Sequence, residues 1–233
     1  MQTQRRNFLR RDFLTVAGTA LAVNAGTGLF TPQQATAAEA ETKKYKVLAF
    51  SGSRRLGKTT AASLNLVLDS IRETDANIET ELIELANYQL YGYGLKGADL
   101  PVGDFELLAT KIREKNVAGL VFGTPSYFGT LSSLMKMFIE QLMAFRRDVE
   151  LKNKIVGAIA VGGSRNGGQE RCLEQIWTAL ACQQVIFAQD SMPTAHWGGT
   201  LWNQNDSIAG DEFGQNTAKN LGVRIAELVR IVR

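Results

Sequence analysis

Cysteine and histidine are nearly missing from this sequence of 233 residues, which holds two of the first and one of the second. Catalysis or metal binding by a constellation of thiolates, imidazoles and carboxylates therefore has almost nothing to draw on. Cys172 and Cys182 fall in one predicted helix, ten residues apart in sequence. That spacing corresponds to about 15 Å along the axis, beyond the reach of a disulfide. A chain without disulfides fits a protein that folds in the cytoplasm before any transfer elsewhere.

An excess of positive charge on the folded part is lacking too. The formal net charge is +3, but Arg5, Arg6, Arg10 and Arg11 stand against Asp12 alone in the first 37 positions, which leaves the rest near neutrality. No surface basic enough to neutralise nucleic-acid phosphates is implied. There is no internal repeat, and no low-complexity segment outside the front of the chain. The length suits one domain with a full core plus an appendage.

The appendage is residues 1–37. Arg5-Arg6-Asn7-Phe8-Leu9 and Arg10-Arg11-Asp12-Phe13-Leu14 both resemble the twin-arginine export signal, and an apolar run from Phe13 to Phe30 follows. Thr15, Gly18, Asn24 and Gly26 dilute that run too much for a comfortable membrane span. Pro32 and Ala35-Thr36-Ala37-Ala38 read as a processing site with cleavage after Ala37. The expected location is periplasmic, or otherwise outside by that route, and an uncleaved leader acting as an anchor is the alternative. Contact with a membrane is expected through the leader only. Residues 38–44 read as a linker.

From Tyr45 onward, short β-rich apolar runs alternate with stretches of helical period, the pattern of a parallel sheet covered by helices. Five strands are expected: Lys46 to Ser51, Ile78 to Leu85, Val117 to Gly123, Ile155 to Val161 and Val185 to Ala188. Buried stripes mark five helices, led by Leu64, Val67, Leu68 and Ile71 in the first and Leu131, Leu134, Met135, Phe138 and Leu142 in the third. Residues 45–233 thus read as one α/β domain, a three-layer sandwich on a five-stranded parallel sheet in order 2-1-3-4-5. Ligands bind such sheets beyond the carboxyl ends of the strands. The loops after the first, third and fourth strands meet there, and they are the least ordinary in the sequence.

The first loop runs Ser51-Gly52-Ser53-Arg54-Arg55-Leu56-Gly57-Lys58-Thr59-Thr60 into a helix. Amides at a helix start, hydroxyls and cations converge, and each favours a bound phosphate. Gly52 to Thr59 also matches the triphosphate P-loop. That enzyme class needs a neighbouring strand-end carboxylate for magnesium, and the strand ends at Gly123 and Gly163 carry none. The bulky Arg54, Arg55 and Leu56 also suit a tight cradle poorly. A flavin phosphate site is the favoured reading, with the NTPase and an empty loop as alternatives.

The second loop, Gly123-Thr124-Pro125-Ser126-Tyr127-Phe128-Gly129, pairs a stiff turn and a close backbone approach with two flat apolar rings, which suits a planar ligand. The third, Gly162-Gly163-Ser164-Arg165-Asn166-Gly167-Gly168-Gln169-Glu170, opens another helix through glycines.

Together these motifs resemble the NADPH-dependent FMN reductase and iron-sulfur flavoprotein branch of the flavodoxin superfamily, over Tyr45 to about Ala188. The resemblance implies FMN. Its phosphate would lie on Ser51, Ser53, Arg54, Arg55, Lys58, Thr59 and Thr60, and its ring against Pro125, Ser126, Tyr127, Phe128 and Gly129 and along Gly162, Gly163, Gly167 and Gly168. It further implies hydride or electron transfer through flavin N5, NAD(P)H as a donor, a quinone or other small-molecule acceptor, and a homodimer or larger assembly. No acid or base residue is required of the protein. An exported carrier of FMN with no nicotinamide turnover is the competing reading, since export separates the protein from the nicotinamide pool.

The chain departs from the iron-sulfur branch in one respect: between Glu84 and Arg171 there is no cysteine, so no cluster held by cysteines is expected. The stretch from Ala86 to Gly103 reads as a lid or dimer contact. His196, in Pro193-Thr194-Ala195-His196-Trp197-Gly198-Gly199, reads as a structural residue.

Overall fold

The computed structural model describes residues 44–94 and 103–233. The expected leader and most of the linker lie outside the described residues, as do residues 95–102 of the stretch expected to form a lid. Among the described residues no helix is long and apolar enough to cross a membrane.

The sheet is built of β1 (Tyr45–Ser51), β2 (Ile78–Glu84), β3 (Val117–Tyr127), β4 (Thr130–Leu131), β5 (Ile155–Gly162), β6 (Ile186–Phe187) and β7 (Gly199–Trp202). Five helices, α1 (Thr59–Thr74), α2 (Phe105–Ile112), α3 (Ser133–Gln141), α4 (Gln169–Leu180) and α5 (Glu212–Val232), pack on it. Strand residues alternate between two cores. Leu48, Phe50, Leu120, Phe122, Val156 and Ala158 face α2, α3 and α4. Val47, Ala49, Val121, Ile155 and Ile159 face α1 and α5. This is the three-layer, flavodoxin-like α/β arrangement, and its parallel order runs β2-β1-β3-β5-β6.

The expected five-stranded sheet is corrected to one of seven strands. The outermost position is divided. β6 pairs with the beginning of β5 at Ile155 and Val156, β7 pairs with its end from Ile159 to Gly162, and the chain leaves the edge between them. β3 continues past its expected end at Gly123, because Thr124 and Pro125 still pair with Ala160 and Val161. It then turns back through β4, which pairs Ser126 with Leu131 and Tyr127 with Thr130. Cys172 and Cys182 do not share a helix: α4 ends at Leu180, and Cys182 lies in a short 3-10 turn.

At the amino end of the sheet, Lys154 is buried, and its Nζ donates to the Val117 carbonyl at 2.7 Å. Burial, with Arg233 nearby, pushes its pKa down to about 8, opposed by Glu150. The unfolded chain, with a lysine pKa near 10.5, therefore holds more protons than the folded one from about pH 8 to about pH 10.5. Stability relative to Lys154→Met, which keeps the aliphatic stem, should rise across that window by on the order of 1–2 kcal/mol. Below about pH 8 the difference should be flat. Urea titrations of both proteins from pH 7 to about pH 10 measure it, and parallel curves would disprove the assignment.

Candidate functional site

β1 delivers its last residue, Ser51, to the carboxyl rim, where the side-chain oxygen is buried without a hydrogen-bond partner. The chain then turns tightly. The Arg55 N–H donates to Ser53 Oγ at 3.1 Å, and the Gly57 N–H, from a left-handed backbone at φ 65°, donates to both Glu84 carboxylate oxygens at 3.0 and 3.1 Å. Lys58 precedes α1 with an extended backbone and no side-chain cap. The amides of the first turn of α1 thus have no capping acceptor, and they sit with the buried Thr59 and Thr60. Such a helix start attracts an anion. Arg54, Arg55, Leu56 and Lys58 are exposed around it.

Ser132, which the sequence did not single out, ties this loop to the next. Its Oγ donates to the Gly52 carbonyl at 2.7 Å and accepts from the Met135 N–H at 3.1 Å as the cap of α3. Its own N–H donates to Thr124 Oγ1 at 2.9 Å.

Pro125, Ser126 and Tyr127 belong to β3 and not to a loop. Only Phe128 and Gly129 form the tip, at φ 54° and 74°, the two left-handed residues that a type I′ hairpin requires. Tyr127 is half-exposed at 49% and Phe128 fully so at 106%. Their rings are uncovered, and the left-handed Phe128 carries a backbone penalty of about 1 kcal/mol with no core contact to offset it.

The third loop lies directly against this tip. Ser126 Oγ donates to the Gly167 carbonyl at 2.6 Å, and a Cβ placed on Gly168 would stand 2.5 Å from the Cα of Gly129. Buried Gln169 shapes the loop from within. It accepts from the Gly167 N–H at 2.9 Å and donates to the carbonyls of Ser164 at 2.7 Å and Leu201 at 3.1 Å. The space beside Gly163 is open: a Cβ there would meet nothing within 4 Å.

A fourth segment at the same rim was missed with β7. Trp202 Nε1 donates to the Gly163 carbonyl at 3.2 Å and the Asn203 N–H to the Gly162 carbonyl at 2.8 Å. Beyond it, Asp206 pairs with Arg55 and Lys58. Buried Asp211 accepts from the Trp202 N–H at 2.7 Å, caps α5 through the Gly214 N–H at 3.0 Å, and pairs with Arg165. Burial pushes the Arg165 guanidinium pKa down. The available signal was Gly199-Thr200-Leu201-Trp202, a short run of strand character hidden in a glycine-rich stretch.

His196 lies near this fourth segment. It is exposed, lies edge-on to Phe213 with ring centroids 5.7 Å apart, and lines a cavity of about 340 Å³ with Arg165, Gln169, Arg171 and Phe213.

The open hydroxyl of Ser51, the uncapped start of α1 and the contiguous second and third loops fit a phosphate-bearing planar cofactor. An iron-sulfur centre does not fit. It takes four ligands, thiolates or in part histidines, and the chain has two cysteines and one histidine; Cys172 is buried with its thiol pKa pushed up by that burial. Among the described residues no group of three His, Cys, Asp or Glu gathers as metal ligands would.

Residues 45–196 match the model of the family described as NADPH-dependent FMN reductase. An iron-sulfur flavoprotein of Methanocaldococcus jannaschii is 35% identical over 195 residues, covering 81% of this chain and 99% of that protein. One of Methanosarcina thermophila is 25% identical over 193 residues, covering 81% and 97%. Among solved structures, RosB with a bound intermediate, 8-demethyl-8-formylriboflavin-5'-phosphate, superposes with a TM-score of 0.63 at 16% identity, over 80% of this chain and 79% of that one. An NADH:FMN oxidoreductase in its apo form gives 0.55 at 19%, over 81% and 90%. At such identities these two likenesses speak for the fold alone.

Proposed function

Because the chain belongs to the NADPH-dependent FMN reductase family, and with it to the flavin-dependent oxidoreductases, we propose that FMN is its resident cofactor. A reduced nicotinamide serves as donor and a quinone or similar small molecule as acceptor. The observation that carries the reading is the meeting of the second and third loops beside the uncapped start of α1, joined by the bond from Ser126 to Gly167.

On this reading the hydroxyls of Ser51, Ser53, Thr59 and Thr60, the first amides of α1 and the cations of Arg54, Arg55 and Lys58 hold the phosphate. Pro125 to Gly129 line one side of the ring, and the glycines at 162, 163, 167 and 168 bring backbone amides to its edge. FMN, once bound, supplies the redox chemistry, accepting electrons in pairs and releasing them singly or in pairs. The protein orients the ring and limits water around it. On this reading the two cysteines of the chain are too few to hold an iron-sulfur cluster. The twin-arginine pattern favours export of a folded, loaded protein, and it also supports a second reading, an FMN-bearing electron carrier with no nicotinamide turnover of its own.

Purified protein is expected to be yellow with the two-band flavin spectrum. Repeated cycles of bleaching by NADPH and recovery with a quinone would mark the reductase, while bleaching by dithionite alone would mark the carrier. Colourless protein that cleaves ATP would defeat both in favour of the P-loop enzyme. Material recovered from outside the cytoplasm should begin at Ala38.

A further inference from the structure

Two of the cations around the start of α1 already share an anion. Arg55 Nη1 donates to Asp206, and Lys58 Nζ lies 3.6 Å from the other oxygen of the same carboxylate. Asp206 reaches them from a separate part of the chain, the turn Gln204-Asn205-Asp206-Ser207. Two backbone hydrogen bonds of 2.8 and 3.0 Å between Gln204 and Ser207 close that turn. Asn205 and Asp206 sit at φ 51° and 62°, as a two-residue type I′ turn needs. Among the described residues the Asp206 side chain makes no bond within its own turn, so the turn does not need the carboxylate. The bond from Arg55 holds the Asp206 carboxyl below its usual range, aided by the charge of Lys58.

We propose that Asp206 is the internal counter-anion of the phosphate site. It holds Arg55 and Lys58 while no phosphate is bound and competes with an arriving phosphate for the same N–H donors, so that it weakens cofactor binding and eases release. The inference rests on the FMN reading given above. Its physical basis is that a carboxylate and a phosphate cannot share one pair of cations without mutual repulsion. The side chain is half-exposed, so the effect should be moderate and should shrink as salt is added.

The test compares wild-type protein with Asp206→Asn and Asp206→Ala by flavin fluorescence quenching, using FMN and riboflavin. Both variants should bind FMN about two- to fivefold more tightly at low salt, with riboflavin, which lacks the phosphate, unchanged. Equal or weaker FMN binding would overturn the proposal, and weaker binding would make Asp206 a positioning residue for Arg55. Equal tightening of FMN and riboflavin would overturn it as well, by placing the effect at the ring. If wild-type protein binds neither flavin, the FMN reading itself fails. The counter-anion is then judged by inorganic phosphate, whose stabilisation of the fold against heat should be larger in the variants, and an equal shift would reject it.

Discussion

Gly168→Val is expected to lower the unfolding free energy by about 3 kcal/mol and to leave the protein without flavin. Gly168 stands at φ 84°, where a β-branched residue is strongly disfavoured. It is also the residue that opens α4. Steric overlap costs more than the backbone angle: the added Cβ would lie 2.5 Å from the Cα of Gly129 and 3.2 Å from its carbonyl carbon. Those are backbone atoms of a hairpin tip that is itself fixed in the left-handed region, so no side chain can swing aside. Relief would have to separate the second loop from the third and break the bond from Ser126 to Gly167. Gly163→Ala is the control, because its Cβ meets nothing within 4 Å. It should stay within about 0.5 kcal/mol of wild type while still lowering flavin affinity, if that open space is where the ring edge lies. Urea midpoints and flavin content read both quantities, and a wild-type midpoint for Gly168→Val would refute the packing.

The strands and helices were legible because continuous apolar runs mark strands buried on both faces and helical stripes mark the elements that cover them. Val47, Leu48, Ala49 and Phe50 are one such run, and the fold sends its alternate members to opposite cores. The three loops at the rim could be ordered for the same reason. What escaped was set by partners distant in sequence. β7 is four residues long and is a strand only because Ile159 to Gly162 offer it an edge. Likewise, Pro125 looks like a turn residue locally but sits in β3 opposite Val161, where the missing N–H is tolerated because the adjoining strand is at its end. Asp206 and Ser132 carry no local motif, and their roles exist only once Arg55, Lys58 and Gly52 are brought beside them. The turn at His196 likewise depends on a partner outside it, because Asp190 holds it through the N–H groups of His196 and Gly198 while the ring packs edge-on against Phe213.

Arg55→Ala combined with Lys58→Ala is expected to weaken FMN binding about a hundredfold while leaving riboflavin within about threefold of wild type. A hydrogen bond to a charged group contributes about 1.5–3 kcal/mol, and two of them would allow a loss between about a hundredfold and about ten-thousandfold. The lower end applies because the two cations share one anion and are not independent. The double variant also leaves Asp206 facing the phosphate with neither cation between them. Adding Asp206→Asn to it should therefore recover part of the loss for FMN and nothing for riboflavin. Recovery confined to the phosphorylated flavin separates a charge effect from damage to the fold, since a distorted loop would disturb both ligands alike. Equal losses for FMN and riboflavin in the double variant would show that these cations do not face the phosphate.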